Sequence, residues 1–217
     1  MPTECLFPIS HAQPLLLGSG SPRRRDILVE LRIPTVVHAA DVDEESRSGE
    51  SPIGYIERIV EAKLGAVSRL RQQLPELQSS SWILVADTIV VVDEEVLGKP
   101  TDERDALRLL QLIAGRTHVV FTRYALAGIG GAPGVELART VRADVTLKPC
   151  SEQELARYAA TGEGLDKAGA YAVQGIGSFL VENIAGAYTT VVGLPACELV
   201  KDLQKLGAVT DFPYPTA

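Results

Sequence analysis

The sequence predicts a mixed α/β fold around one compact core, with enough chain for two lobes. Short apolar runs typical of buried strands alternate with segments whose apolar residues recur at helical spacing. The 217 residues could bury about 70 to 75% of the unfolded surface. Hydrophobic residues make up 46% of the chain and charged residues 23%, which is usual for a folded soluble protein.

The N-terminal part of the chain predicts a strand, a helix and a second strand. Pro14–Leu17 is a short apolar run that leads into the loop Gly18–Ser21. A helix is expected to begin at Ser21, because serine favours the N-cap and the proline after it suits the first helical position. Ile33–Ala39 predicts the next strand, and the acidic stretch Asp41–Gly49 predicts a loop.

The following segment predicts one long helix and a linker. Ser51, followed by proline, repeats the helix start signal, and apolar residues recur at helical spacing to about Leu74. Lys63 lies at the side of this apolar stripe. The polar stretch Gln72–Ser81 predicts the linker to the next strand.

Two apolar runs after this linker predict buried strands on either side of an acidic residue. The runs are Trp82–Ala86 and Ile89–Val92, with Asp87 and Thr88 between them. Burying an ionised carboxylate is unfavourable unless a cation or a set of hydrogen-bond donors offsets it. Asp87 is therefore the first candidate for a functional residue.

The rest of the chain predicts two short helices, a long hairpin and a final helix. A turn at Asp93-Glu94 leads to a short strand at Val96-Leu97, and a helix Asp102–Ile113 follows. The hairpin strands are His118–Ile129 and Val135–Leu147, with the turn at Gly130–Gly134. After them come a helix from the capping box Ser151–Glu154 to Ala160, an irregular segment Gly162–Gly186 with a short strand, and a helix from Leu194 to about Leu206.

Charge and cysteine content exclude several classes of protein. The net charge of −7 and the isoelectric point near 5.1 argue against binding to nucleic acid or to an anionic membrane. Cys5, Cys150 and Cys197 are far apart and odd in number, which fits a reducing compartment. Neither a signal peptide nor a membrane span is recognisable, so we expect a cytoplasmic protein.

The segment Gly18–Arg24 has the composition of a phosphate-binding loop. It combines glycines, the hydroxyls of Ser19 and Ser21, a helix N-terminus and the guanidinium groups of Arg23 and Arg24. It lacks the GK[ST] of a Walker loop and the third glycine of a dinucleotide fingerprint. The alternative interpretation is a capped helix with solvated arginines.

Lys99 and the acidic run Asp43–Glu45 extend this hypothesis to a metal-dependent site. Lys99 lies between glycine and proline, in a restrained loop that could direct an ammonium group to a phosphate. An exposed lysine and a solvated acidic loop are the alternatives. Carboxylates such as Glu44 and Asp87 can lie beside a phosphate only with a hard cation, which indicates Mg²⁺ or Mn²⁺. The three histidines show no metal-ligand spacing.

Eight segments of the chain form an ordered series of motifs: Leu17–Arg24, Asp41–Glu44, Ala62-Lys63, Ala86–Thr88, Gly98–Pro100, Gly115–His118, Asp166–Gly175 and Val192–Pro195. In this order they closely resemble the motifs of the Maf family of nucleoside triphosphate pyrophosphatases. The resemblance covers about residues 15–206. It implies a fold similar to that of inosine triphosphatase, with a long curved mixed β-sheet and flanking helices in two lobes around a central cleft. It also implies a homodimer, with 15–217 as a single domain and 1–14 as an N-terminal extension.

The resemblance further implies hydrolysis between the α- and β-phosphates of a nucleoside triphosphate, with a divalent cation. Asp87 matches the proposed proton acceptor, while Arg23, Thr88 and Gln174 match positions tied to the choice of base. The pattern is similar to that of the subgroup acting on dTTP and UTP. Gly18, Gly164, Arg123 and Thr190 depart from the residues that are common in the family.

These observations lead to one hypothesis for the site. The expected catalytic residues are Asp87, Glu44, Lys63 and Lys99, with Glu44 and Asp87 as metal ligands, and the expected substrate-binding residues are Ser19, Ser21, Arg23, Arg24, Thr88 and Gln174. Asp87 would also orient or deprotonate the attacking water. The amide of Gln174 could pair with thymine or uracil.

Two alternative functions remain open at this point. The first is a non-catalytic protein that senses a nucleotide or acts on septum formation in cell division. The second is a house-cleaning pyrophosphatase with a different base preference.

Overall fold

A computed structural model describes residues 8–128 and 137–214 of the chain. The strands are β1 Leu15–Leu17, β2 Thr35–Val37, β3 Trp82–Val92, β4 Glu95–Leu97, β5 Thr117–Gly128, β6 Leu137–Leu147 and β7 Val181–Ala185. The α-helices are α1 Pro22–Glu30, α2 Pro52–Gln73, α3 Glu103–Ile113, α4 Glu152–Ala159, α5 Tyr188–Val192 and α6 Ala196–Lys205, and 3₁₀ segments lie at Pro75–Leu77, Ala168–Ala170 and Gly175–Leu180.

The seven strands form one mixed sheet, which confirms the predicted α/β class. Its order is β2-β1-β3-β5-β6-β7, and β4 pairs with β3 outside this path. β1 is parallel to β2 and β3, whereas all later pairings are antiparallel. The prediction of two strand runs around Asp87 is wrong, because β3 is one continuous strand in which Asp87 is paired with Arg123 of β5.

Three hydrophobic clusters surround the sheet. Side chains alternate between the two faces of a strand, so Ile83 and Val85 of β3 pack in the cluster with α2. Leu84 belongs to a cluster on the other face with α1 and α6. Val90 and Val92 belong to a third cluster with α3 and α4. Burying one such side chain fully contributes about 1.5 to 3 kcal/mol to the stability of the fold. The cluster that contains Leu84 and the cluster that contains Val90 lie at the two ends of β3 and correspond to two lobes.

Local signals fix where the helices begin. Ser51 accepts a hydrogen bond from the backbone N–H of Gly54, and Asp102 accepts one from Asp105. Ser151 and Glu154 form the predicted capping box. Each bond satisfies a backbone donor that the first helical turn leaves without a partner.

Other details differ from the sequence-based expectation. β2 is shorter than the predicted strand Ile33–Ala39, and the short helix α5 was not predicted. The predicted hairpin turn Gly130–Gly134 and the strand ends at Ile129 and Val135 lie outside the described residues. In the described part of the chain, every helix is too short or too polar to cross a lipid bilayer.

Candidate active site

A cavity opens at a gap in the pairing of β3. β1 pairs with residues 82–84 of this strand, and β4 pairs with residues 90–92 on the same edge. No described strand pairs with that edge between these two segments. A cavity of about 810 Å³ lies there, which is a size typical of small-molecule sites. The topology thus brings the loops that follow β1 and β4 to the middle of β3.

Lys63 joins the two carboxylates that were predicted to act together. Its Nζ lies 2.7 Å from Oε1 of Glu44 and 2.7 Å from Oδ1 of Asp87. Helix α2 supplies the lysine, strand β3 supplies Asp87, and the acidic loop supplies Glu44. The lysine side chain is only 12% exposed. The structure therefore brings these three side chains into one hydrogen-bonded group.

The environment of this group keeps Glu44 ionised. Burial acts to raise the pKa of Glu44, but the hydrogen bond and charge of Lys63, together with the charge of Lys99, lower it below its ordinary value. Tyr55 donates a hydrogen bond to the backbone oxygen of Glu44 at 2.9 Å. Burial, followed by the charges of Asp87 and Glu44, raises the pKa of Tyr55 to about 12. Two carboxylates share one ammonium group, so the cluster attracts further positive charge.

Arg24 holds the loop after β1 in place. Its side chain is buried and donates hydrogen bonds to Gly193 O at 2.8 Å, to Ser19 Oγ at 2.8 Å and to Thr88 Oγ1 at 3.1 Å. A guanidinium group has about five N–H donors, which leaves about two for a ligand. Burial lowers the pKa of Arg24. The alternative of solvated arginines is therefore wrong for Arg24, which both organises the loop and lines the cavity.

Ser21 and Arg23 lie at the mouth of the same cavity. Ser21 is the N-cap residue of α1, but its side chain makes no capping hydrogen bond. Arg23 Nη1 lies 3.3 Å from Oδ2 of Asp166, whose side chain is 63% exposed. Exposed ion pairs contribute only about 0 to 1 kcal/mol, so a polyphosphate could replace Asp166 as the partner of Arg23.

Lys99 and Gln174 also line the cavity. The loop that bears Lys99 is tied to the 3₁₀ segment Ala168–Ala170, because Gly98 O accepts a hydrogen bond from the backbone N–H of Gly169 at 3.1 Å. Gln174 is exposed to the cavity, and its side chain makes no hydrogen bond to any described residue. Its amide is free to contact a ligand.

Tyr55, Glu163 and Asp166 are among the lining residues that had no predicted role. Tyr55 lies one turn from the start of α2 and carried no distinguishing signal. Asp166 is part of a segment that resembles a family motif, and Glu163 is a carboxylate just before that segment, so their position beside a glycine-rich stretch was the available signal.

The structure accounts for two of the departures from the family pattern and places the other two. A Cβ atom on Gly18 would lie 2.5 Å from Val67 Cγ2, and one on Gly164 would overlap Ala170 O, so neither position admits a side chain here. Arg123 pairs with Glu57 at 3.0 Å. Neither Arg123 nor Gly164 lines the cavity. Thr190 is buried, and its hydroxyl has no partner among the described residues.

Comparisons with known proteins identify a family and several relatives. A sequence model of the family described as Maf-like protein matches residues 14–206. A protein of Geobacter sulfurreducens named dTTP/UTP pyrophosphatase is 40% identical over 195 residues, which are 90% of this chain and 97% of that protein. Proteins of the same name from Nitratidesulfovibrio vulgaris and Myxococcus xanthus are both 42% identical, and the matches cover 93% and 89% of this chain and 92% of each relative. The solved structure of the Staphylococcus aureus Ham1 protein matches 62% of this chain and 71% of that chain, with 13% identity and a TM-score of 0.39.

Proposed function

The chain belongs to the Maf family, and from this we propose that it is a nucleoside triphosphate pyrophosphatase. The substrates are dTTP and UTP, which are hydrolysed between the α- and β-phosphates to the nucleoside monophosphate and pyrophosphate. One structural observation carries the proposal: Lys63 holds Glu44 and Asp87 together in the cavity that the basic loop Ser19–Arg24 also lines.

The residues of this cavity fit a divalent cation. Glu44 and Asp87 offer hard carboxylate oxygens, and the Glu44 side chain is 45% exposed. No group of three potential metal ligands is found in the described part of the chain. Mg²⁺ is usually held by one or two carboxylates, with substrate phosphates and water as the other ligands. We therefore propose Mg²⁺ or Mn²⁺ at Glu44 and Asp87, where it would neutralise charge on the phosphates.

The side chains of the chain itself supply the remaining catalytic contributions. Asp87 orients the attacking water and accepts its proton, and Lys63 holds the Asp87 carboxylate in place by the 2.7 Å hydrogen bond. Charge that builds up on the leaving pyrophosphate is neutralised by Arg23, Lys63 and Lys99. Ser19 and Ser21 supply shorter-range donors to the same group. Arg24 holds the loop and can turn its remaining donors to the phosphates.

Gln174 selects the base in this proposal. Its amide has a carbonyl oxygen that accepts hydrogen bonds and an NH₂ group that donates them, so it can pair with the keto and imide groups of thymine or uracil. A base that fails to match leaves polar groups unpaired, which costs about 1 to 3 kcal/mol and corresponds to a tenfold or greater preference. Thr88 also lines the cavity, and its hydroxyl is hydrogen-bonded to Arg24 and, at 2.9 Å, to Thr122.

The family likeness and the charge of the chain also support a homodimer in the cytoplasm that binds neither nucleic acid nor membrane. The acidic net charge of −7 disfavours both of these polyanionic surfaces. Light scattering coupled to gel filtration measures the oligomeric state directly.

A nucleotide panel tests the proposed function. We expect pyrophosphate release from dTTP and UTP in the presence of Mg²⁺ or Mn²⁺, much less from CTP and GTP, and little from any of them after chelation. Release of orthophosphate alone would contradict cleavage between the α- and β-phosphates. Binding without hydrolysis would favour a nucleotide sensor, and a preference for other bases would favour a house-cleaning enzyme.

A further inference from the structure

We propose that Glu163 is a positioning residue for base selection, because its carboxylate fixes the backbone that carries Gln174. This inference rests on the proposed function, in which Gln174 contacts the base.

Glu163 binds the chain immediately after Gln174 with both of its carboxylate oxygens. Oε1 accepts a hydrogen bond from the backbone N–H of Ile176 at 2.8 Å, and Oε2 accepts one from Gly177 at 2.7 Å. The hydroxyl of Tyr158 also donates to Oε2, at 2.9 Å. Hydrogen bonds to an ionised acceptor are stronger than neutral ones. Two successive backbone groups are therefore held by one side chain.

Tyr158 extends this arrangement to the chain just before Gln174. Its hydroxyl accepts a hydrogen bond from the backbone N–H of Ala172 at 3.0 Å, while its ring is buried in the cluster with α3 and α4. Ala172, Tyr158 and Glu163 are thus linked in one chain of hydrogen bonds. Hydrogen bonds therefore hold the segment 172–177 at both of its ends, and Gln174 lies between them.

Glycines let this segment pack closely against the two side chains. A Cβ atom on Gly177 would overlap Ala172 O and lie 2.5 Å from the Tyr158 hydroxyl. Gly175 has a φ of +67°, and a Cβ atom there would overlap Oε1 of Glu163. The backbone on both sides of the carboxylate can adopt this arrangement only without side chains at these positions.

The direction of Gln174 depends on this backbone. Its amide makes no hydrogen bond to any described residue, so no hydrogen bond in the described part of the chain fixes the side chain itself. A recognition group usually has to be placed within about 0.5 Å to discriminate between ligands. Any shift of the segment 172–177 therefore moves the amide relative to the base.

Replacing Glu163 with glutamine tests the inference. In Glu163→Gln one oxygen becomes an NH₂ group, which cannot accept the second backbone hydrogen bond. We expect the ratio of kcat/KM for dTTP to that for CTP to fall by about tenfold. The change should appear as a higher KM for dTTP with a nearly unchanged kcat, because uniform binding is lost while Lys63 and Asp87 are untouched.

A second variant and a matched control complete the experiment. Tyr158→Phe keeps the buried ring and removes only the hydroxyl, so it should lower the same ratio even if Glu163→Gln fails to fold. Glu182→Gln makes the same chemical change on exposed strand β7, outside the cavity, and should leave the ratio unchanged.

The outcomes separate this inference from the proposed function. A wild-type ranking of the nucleotides and wild-type KM values in both Glu163→Gln and Tyr158→Phe would overturn the inference alone. An equal loss of kcat with every nucleotide would also overturn it, because this would assign Glu163 a role in chemistry or in general stability. A wild-type protein that releases no pyrophosphate would overturn both.

Discussion

Replacing Lys63 with methionine removes the ammonium group that joins the carboxylates of Glu44 and Asp87. Methionine keeps the length and apolar stem of the side chain but has no charge and no N–H donor. The variant Lys63→Met therefore removes both 2.7 Å contacts, to Glu44 and to Asp87, with little change in packing on α2.

The expected loss of activity follows from the position of this ammonium group. Loss of one well-placed donor beside developing charge typically costs about 3 to 4 kcal/mol in the transition state, or about 10² to 10³ in rate. Lys63 is only 12% exposed, so water replaces it poorly. We expect kcat/KM for dTTP to fall by about 10² to 10³.

The variant should also change the pH dependence of the reaction. In the wild type, the pKa of Glu44 is lowered, so activity that needs its ionised form is lost only as the pH falls through that lowered value. Without Lys63, burial remains as the leading effect on the pKa of Glu44, and the charges of Lys99 and Arg24 alone oppose it. The pKa therefore rises, and the acid limb of kcat/KM against pH moves to higher pH.

The assay is pyrophosphate release from dTTP between pH 5 and 9, with Lys148→Met as the control. Lys148 forms an ion pair of similar geometry with Glu154, at 2.9 Å, but does not line the cavity. The control should retain the wild-type profile. A Lys63→Met enzyme within about tenfold of the wild type, with an unshifted acid limb, would refute the role assigned to this lysine.

Three further predictions concern other residues. Asp87→Asn should lower kcat by about 10² or more, as measured by pyrophosphate release; activity within about tenfold of the wild type would exclude its role as base. Gln174→Glu should change the ranking of dTTP, UTP, CTP and GTP, and an unchanged ranking would exclude it as the base-reading residue. Asp202→Asn should lower the free energy of unfolding at pH 7 by about 2 to 3 kcal/mol in urea titrations, because buried Asp202 accepts hydrogen bonds from Tyr124 at 2.5 Å and from half-exposed Arg139 at 2.6 and 2.7 Å. The hydrogen bond from Arg139 is the main reason that the pKa of Asp202 is lowered in the folded protein. The stability that Asp202 contributes is therefore present above its pKa in the unfolded chain and is lost as the pH falls through its pKa in the folded protein. The difference in unfolding free energy between variant and wild type should accordingly shrink in acid. An unfolding difference that is independent of pH would contradict the last prediction.

Elements that depend on local signals were predictable from the sequence. The helix starts at Ser51, Asp102 and Ser151 follow from side chains that satisfy the first backbone donors, and each lies within one turn of its partner. The prediction of two strands around Asp87 was wrong. Asp87 and Thr88 interrupt the apolar pattern, but the pairing with β5 continues through both residues and holds β3 as one strand.

The site was predictable in its chemistry but not in its contacts. A buried carboxylate, an acidic loop and basic segments implied a shared polyanion site, and the structure brings these segments together. That Lys63 would join Glu44 to Asp87 depends on how α2 packs on β3, which no local pattern specifies. The contacts between Glu163, Tyr158 and the segment after Gln174 likewise depend on how α4 packs against a loop, and so the sequence could not indicate them.

The gap in strand pairing that forms the cavity also bears on aggregation. An unpaired strand edge is a template onto which a strand of another molecule can add. Here the stretch left open, Val85–Ile89, spans only a few residues between β1 and β4 and lies largely buried. The charge of Asp87 at its centre further disfavours an incoming apolar strand. The molecule can therefore keep an open backbone edge for a small ligand without offering a nucleus for β-sheet polymerisation.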